Sequence, residues 1–143
     1  MTNWETLLYE RDEVEVLTTI YKAINEGDVS DGLLGIEELI LQMSNSQDHQ
    51  LESRLIILMM HILKWKTQQP TRSWYKTIRT QRRAIERLLA KAPRFTKARL
   101  LEDFWPKALE YAIIEATDEM DQSPAVTQLS WEDVFEVDYQ LNT

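Results

Sequence analysis

The sequence predicts an all-α protein, a compact bundle of five to six helices around a central apolar helix at about residues 46–68. Three observations carry this expectation. Apolar residues return every three or four positions along most of the chain, as one face of a helix requires. Proline and glycine cluster where those stretches stop, at Gly27, Pro70, Pro93 and Pro124. No stretch of useful length alternates apolar with polar residues, as a half-buried strand would.

The first helical stretch spans about Trp4 to Asn25, with Leu17, Ile20, Tyr21 and Ile24 at helical spacing and Asp12 able to cap a second start. Gly27-Asp28 ends it. A second helix, about Asp31 to Met43, carries Ile36, Leu39, Ile40 and Met43 on one face. Ser44-Asn45-Ser46 reads as a break, with Asn45 or Ser46 capping the next helix. That helix, to about Gln68, holds Leu51, Leu55, Leu58, Met59, Ile62, Leu63 and Trp65. Its middle turns are apolar almost all round, which predicts a helix surrounded by others. A fourth helix, from Ser73 to Ala92, sets Trp74, Ile78, Ile85, Leu88 and Leu89 against a basic opposite face. A fifth, about Thr96 to Met120, buries Leu101, Phe104, Trp105, Ala108, Tyr111 and Ala112. Pro106 within it predicts a kink or a restart, because proline lacks the backbone donor and clashes with the preceding turn. A short helix follows from Ser130, with Glu132 and Asp133 in its first turn.

At 143 residues the chain is expected to form a single helical domain over 1–143. Hydrophobic residues make up 43% and charged residues 28%, ordinary globular usage that needs no staple at this size. No cysteine is present, which excludes disulfides, thiolate metal sites and cysteine nucleophiles, and fits a reducing, cytoplasmic setting. Met1-Thr2-Asn3-Trp4-Glu5 lacks the basic and apolar regions of a signal peptide. The longest apolar run, Leu55–Met60, is far below the roughly 20 residues of a membrane span. The three glycines form no phosphate-cradling motif.

Charge is laid out in blocks. Residues 1–53 contain two basic and twelve acidic residues, residues 54–107 fourteen and three, and residues 108–143 none and nine. Either the acidic ends neutralise the basic middle, or Lys76, Arg79, Arg83, Arg87, Lys91, Arg94, Lys97 and Arg99 form an exposed stripe able to bind phosphates. The net charge of −8 opposes the second alternative.

Catalytic and metal chemistry find little support. His49 and His61, twelve residues apart on one predicted helix, lie about 18 Å from each other along its axis and cannot share a metal ion. Gln81 falls inside the apolar stripe of the fourth helix, and a buried amide needs partners; His61 or a backbone carbonyl would serve. Glu115, Asp118 and Glu119 cluster at a helix end, where acids are solvated as a rule. No catalytic residue, metal ligand or cofactor is therefore expected. Trp131, Val134, Phe135 and Tyr139 stand in an otherwise acidic segment, 121–143, predicted to dock on this protomer or on a neighbour, and are the candidate association residues.

From Glu52 to Pro93 the residues Glu52-Ser53-Arg54-Leu55, His61-Ile62-Leu63-Lys64-Trp65, Arg72-Ser73-Trp74, Thr77-Ile78, Gln81-Arg82 and Ile85-Glu86 form a spacing pattern. Glu37-Glu38, Tyr111-Ala112 and Trp131-Glu132-Asp133-Val134 extend it. The pattern resembles the bacterial family known as domain of unknown function 29. Two departures stand out: the Ser44-Asn45-Ser46 interruption and the absence of a proline before Trp131. The resemblance implies an all-helical domain with no established activity. It also implies that His61, Trp65, Trp74, Gln81 and Arg82 belong to one packed unit, structural or ligand-binding. The leading expectation is a non-enzymatic interaction or structural domain that self-associates or binds a protein partner. The alternatives are a nucleic-acid-binding module using residues 76–99 and a small-ligand or enzyme site near His61 and Gln81.

Overall fold

In a computed structural model, which describes residues 2–141, the chain is all-α. Met1, Asn142 and Thr143, the ends of the predicted 1–143 domain and of the 121–143 segment, lie outside the described residues. The helices are α1 (Trp4–Glu10), α2 (Glu13–Asn25), α3 (Val29–Thr67), α4 (Arg72–Lys91), a single turn α5 (Lys97–Arg99), α6 (Trp105–Met120) and α7 (Trp131–Phe135), with a π-helical segment Leu100–Phe104 leading into α6. Among the described residues there is no strand, and no helix is long and apolar enough to cross a membrane.

The chain divides into two compact units, residues 1–49 and 50–143. In the first, Asn3 caps α1 and Asp12 caps α2 by accepting from Glu15 N, so the second start at Asp12 is real. Its core is small: Trp4, Leu8, Val16, Ile20 and Leu39. α2 and α3 approach closely at two glycines. A Cβ on Gly35 would lie 2.8 Å from Ile20 and Trp4, and one on Gly32 would strike Ile24. Asp31 ties down the start of the chain, accepting from Trp4 Nε1 at 2.9 Å and from the Thr2 hydroxyl at 2.6 Å. These bonds, that from the Thr2 hydroxyl foremost, hold its carboxyl below the usual carboxylate range.

One expectation about α3 needs correction. Ser44-Asn45-Ser46 does not break it: one helix of 39 residues runs from Val29 to Thr67. Asn45 and Ser46 are exposed, so their side chains have water to satisfy them, and their modest propensity penalty is smaller than the cost of eight orphaned backbone groups at two new helix ends. The departure from the family pattern at these residues accordingly disappears. Nor do the stripes of the first two predicted helices bury fully: Leu17, Tyr21, Ile24, Ile40 and Met43 are exposed.

The second unit holds the larger core. Residues 50–67 of α3 supply Leu51, Leu55, Leu58, Met59, Ile62 and Leu63, all with no exposed surface. Around them pack Ile78, Ile85 and Leu88 of α4, Leu100 and Phe104 of the π segment, and Trp105, Ala108, Ala112 and Ala116 of α6. Leu101 and Tyr111, expected inside, face solvent. Pro106 marks a restart, occupying the first turn of α6, where its missing N–H has no carbonyl to serve. Ser130 caps α7 in a reciprocal box with Asp133.

Candidate interaction surfaces

The five residues singled out where helices three and four meet are divided among four arrangements. His61 Nδ1 donates to the Ile57 carbonyl at 2.8 Å, one turn back on its own helix. Gln81 instead accepts from Arg54 Nη1 at 3.1 Å. Among the described residues no hydrogen bond joins His61 to Gln81, so the register-setting pair expected from sequence is replaced by Arg54–Gln81. Burial lowers the His61 pKa, with Lys64 nearby adding to the effect.

Lys64, named from the sequence only within the resemblance pattern, is 6% exposed. It forms an ion pair with Glu119, and its ammonium lies 5.5 Å from the Trp74 ring. Desolvation lowers its pKa. Trp74 and Trp65 are both only partly buried.

Arg82 has the most developed set of contacts. Its Nε and Nη1 each donate at 2.7 Å, to the carbonyls of Val134 and Val137, and Nη2 reaches the Asp133 carbonyl at 3.3 Å. Its guanidinium also stacks 5.3 Å from the Tyr139 ring. Carbonyls at the end of a short helix lack intrahelical partners, and a planar fork of donors supplies them. Tyr139 returns a hydroxyl to Asp133 O at 2.8 Å and sets its ring edge-on to Trp65. Burial, more than the neighbouring Asp133, pushes its phenol up to about 12. Trp131 stacks on Trp105, whose Nε1 donates to the Leu129 carbonyl, and Phe135 packs beside both. Lys66 pairs with Asp133 at 3.3 Å. In this segment Val134 and Tyr139 are buried, and Trp131 and Phe135 partly buried, against the core of the second unit.

The basic stripe is not covered by that segment. Lys76, Arg79, Arg83, Arg87 and Lys91 recur at intervals of three and four on one edge of α4, and all are exposed. Arg79 lies against Tyr75, whose hydroxyl accepts from it at 3.0 Å. Among the described residues no ion pair engages Lys76, Arg83, Arg87 or Lys91. Arg94 and Lys97 continue the stripe beyond the helix, lying over the Phe95 and Trp131 rings, and Arg99 is bridged to Asp103. A cleft of about 410 Å³ opens beside its start, lined by Arg72, Tyr75, Lys76, Arg79, Gln140 and Leu141.

The surface that sequence reasoning missed lies in the first unit. On α2, Val14, Leu17, Tyr21 and Ile24 follow a three-four-three spacing; on α3, Val29, Leu33, Ile36, Ile40 and Met43 follow four-three-four-three. Such rows form a continuous stripe along each helix. All but the partly buried Ile36 are exposed, Tyr21 by 69% and Ile40 by 59%. The stripes fall on the same side of the α2–α3 hairpin. On the opposite side, Thr2 and Asp31 meet Thr19, Lys22 and Ala23, and α1 lies along Glu38, Leu41, Gln42 and Asn45. The signal was the spacing itself; sequence alone could not tell that only one side of this hairpin is covered.

Taken together, these features define an all-helical protein with a well-filled core in one unit and a bare apolar helical face in the other. Among the described residues no group of histidine and carboxylate side chains is arranged to hold a metal ion. Residues 8–140 match the family model described as domain of unknown function DUF29, and the chain belongs to that family. Comparison with curated proteins and with solved structures finds no match.

Proposed function

We propose that the chain is a non-enzymatic protein-interaction module that docks through the bare face of the α2–α3 hairpin. The observation that carries this reading is the imbalance in the first unit: the exposed Val14, Leu17, Tyr21, Ile24, Val29, Leu33, Ile40 and Met43 outnumber the five side chains of its core. Contiguous apolar patches of this extent mark association sites, because leaving them in water costs about 25 cal/mol per Å². The test is affinity capture from cells that produce the protein, with the wild-type chain and a Leu17→Glu/Leu33→Glu variant as baits. A protein held by the first and lost from the second supports the reading. Identical sets of captured proteins would refute it.

A second reading is favoured by a separate observation, the uncovered cations of α4. A strip of four or five positive charges at helical spacing suits the phosphates of a nucleic acid. In a gel-shift titration, binding that weakens steeply between 50 and 200 mM salt supports it, and no shift at the lower salt eliminates it.

A further inference from the structure

We infer that the occupant of the bare α2–α3 face is a second copy of the same face, the two hairpins pairing as a four-helix bundle. The inference rests on the interaction reading above and names its partner. Both helices carry apolar residues at the alternating three- and four-residue spacing that packs helices at shallow angles, so each copy presents the surface its partner needs. Such a contact is two-fold symmetric and closes on itself.

Charge argues for the same occupant. The first unit is strongly acidic, yet the positions flanking the stripes are mostly uncharged: Thr18 and Asn25 on α2, Ser30 and Ser44 on α3. Glu13, one turn before Leu17, and Glu37 are exceptions at the edge. A face built for a basic partner would set its carboxylates beside the apolar rows; here Glu15, Asp31 and Glu38 lie on the far side of the hairpin. Area fits as well. At roughly 100 Å² for each of the eight exposed apolar side chains, one copy contributes about 800 Å², the half-share of a standard stable interface.

Sedimentation of the full chain across micromolar concentrations, together with carbene footprinting, tests this. The expected result is a two-chain mass, with Leu33 and Ile40 shielded from labelling at high concentration. Leu17→Glu/Leu33→Glu should yield a single-chain mass with unchanged helicity, since both side chains are half-exposed; the dimer constant should rise on the order of 100-fold or more as unpaired charges enter the seam. Tyr21→Lys, at a still more exposed position, is the second variant and should act in the same direction. Lys76→Glu/Arg87→Glu on α4 should leave the mass at two chains. A wild-type monomer whose Leu33 and Ile40 are labelled would overturn pairing between copies while leaving a different protein partner for the face. A wild-type monomer whose Leu33 and Ile40 resist labelling would overturn both readings. A dimer that survives the face variants, or that dissociates with the α4 variant, would overturn the proposed seam.

Discussion

Replacing Arg82 should release the end of the chain from the core. Its guanidinium makes two bonds of 2.7 Å and one of 3.3 Å to backbone carbonyls of residues 133–137 and stacks on Tyr139. A bond involving a charged group contributes about 1.5–3 kcal/mol, and the carbonyls lie near enough to the surface to rehydrate, so the lower bound applies to the two short bonds. Adding roughly 0.5–1 kcal/mol for the stacked cation, Arg82→Ala should cost about 3.5–4 kcal/mol. Arg82→Lys keeps the charge but has one point of donation for three separated carbonyls, and should recover less than half of that loss. Urea unfolding followed by circular dichroism gives the stability change, and proteolysis near residues 125–140 shows whether the segment detaches. A loss below 1 kcal/mol for Arg82→Ala, or wild-type stability for Arg82→Lys, would refute the view that the carbonyl fork anchors this segment.

Gly35→Ala should destabilise the first unit by about 1–2 kcal/mol, because overpacking against Ile20 and Trp4 outweighs the gain of roughly 1 kcal/mol in helix propensity. Gly32→Ala, whose Cβ would strike Ile24 Cγ1 and lie 3.5 Å from the Ile20 carbonyl, should also destabilise, because the whole Ile24 side chain must turn aside; amide exchange in residues 4–45 reads both. Lys64→Met should change stability by less than about 1 kcal/mol, whereas Glu119→Gln, which leaves the buried ammonium without its carboxylate, should cost more in the same urea titration. Tyr139 has a folded-state pKa raised from 10.0 to about 12, so the folded state holds its proton longer; the stability this contributes is complete below pH 10 and is lost as pH rises from 10 to 12. Absorbance at 295 nm should show one phenol ionising after the others, and its early ionisation would contradict the burial of that ring.

The all-helical class, the ends of α4, the start of α7 and the interruption at Pro106 were legible because each follows from local chemistry: periodicity, a proline, or acids in a first turn. The continuity of α3 was not. Ser44-Asn45-Ser46 has the composition of a break, and helical context on both sides overrides it. The site residues divide similarly. Arg82 could be marked by its neighbours in a resemblance, but its partners, 51 to 55 positions away, are backbone carbonyls that no side-chain pattern records. The stripes at Leu17, Tyr21 and Ile40 were visible as helical spacing, but an amphipathic pattern says which side is apolar without saying whether anything lies against it.

The π turn at Leu100–Phe104 bears on how this chain tolerates length changes. Leu100 and Phe104 share a core with Trp105, Ala108 and Ala112, which an uninterrupted α-helix, advancing by about 100° per residue, would spread over an arc of about 140°. The widened turn absorbs a surplus residue and keeps both sides in phase. Removing one residue from this segment should relax it into regular helix with Leu100 still on the buried face, and an insertion into the exposed 121–123 turn should shift no helix phase at all. Length changes among relatives should therefore appear as single-residue deletions within residues 100–104 and as insertions at that turn.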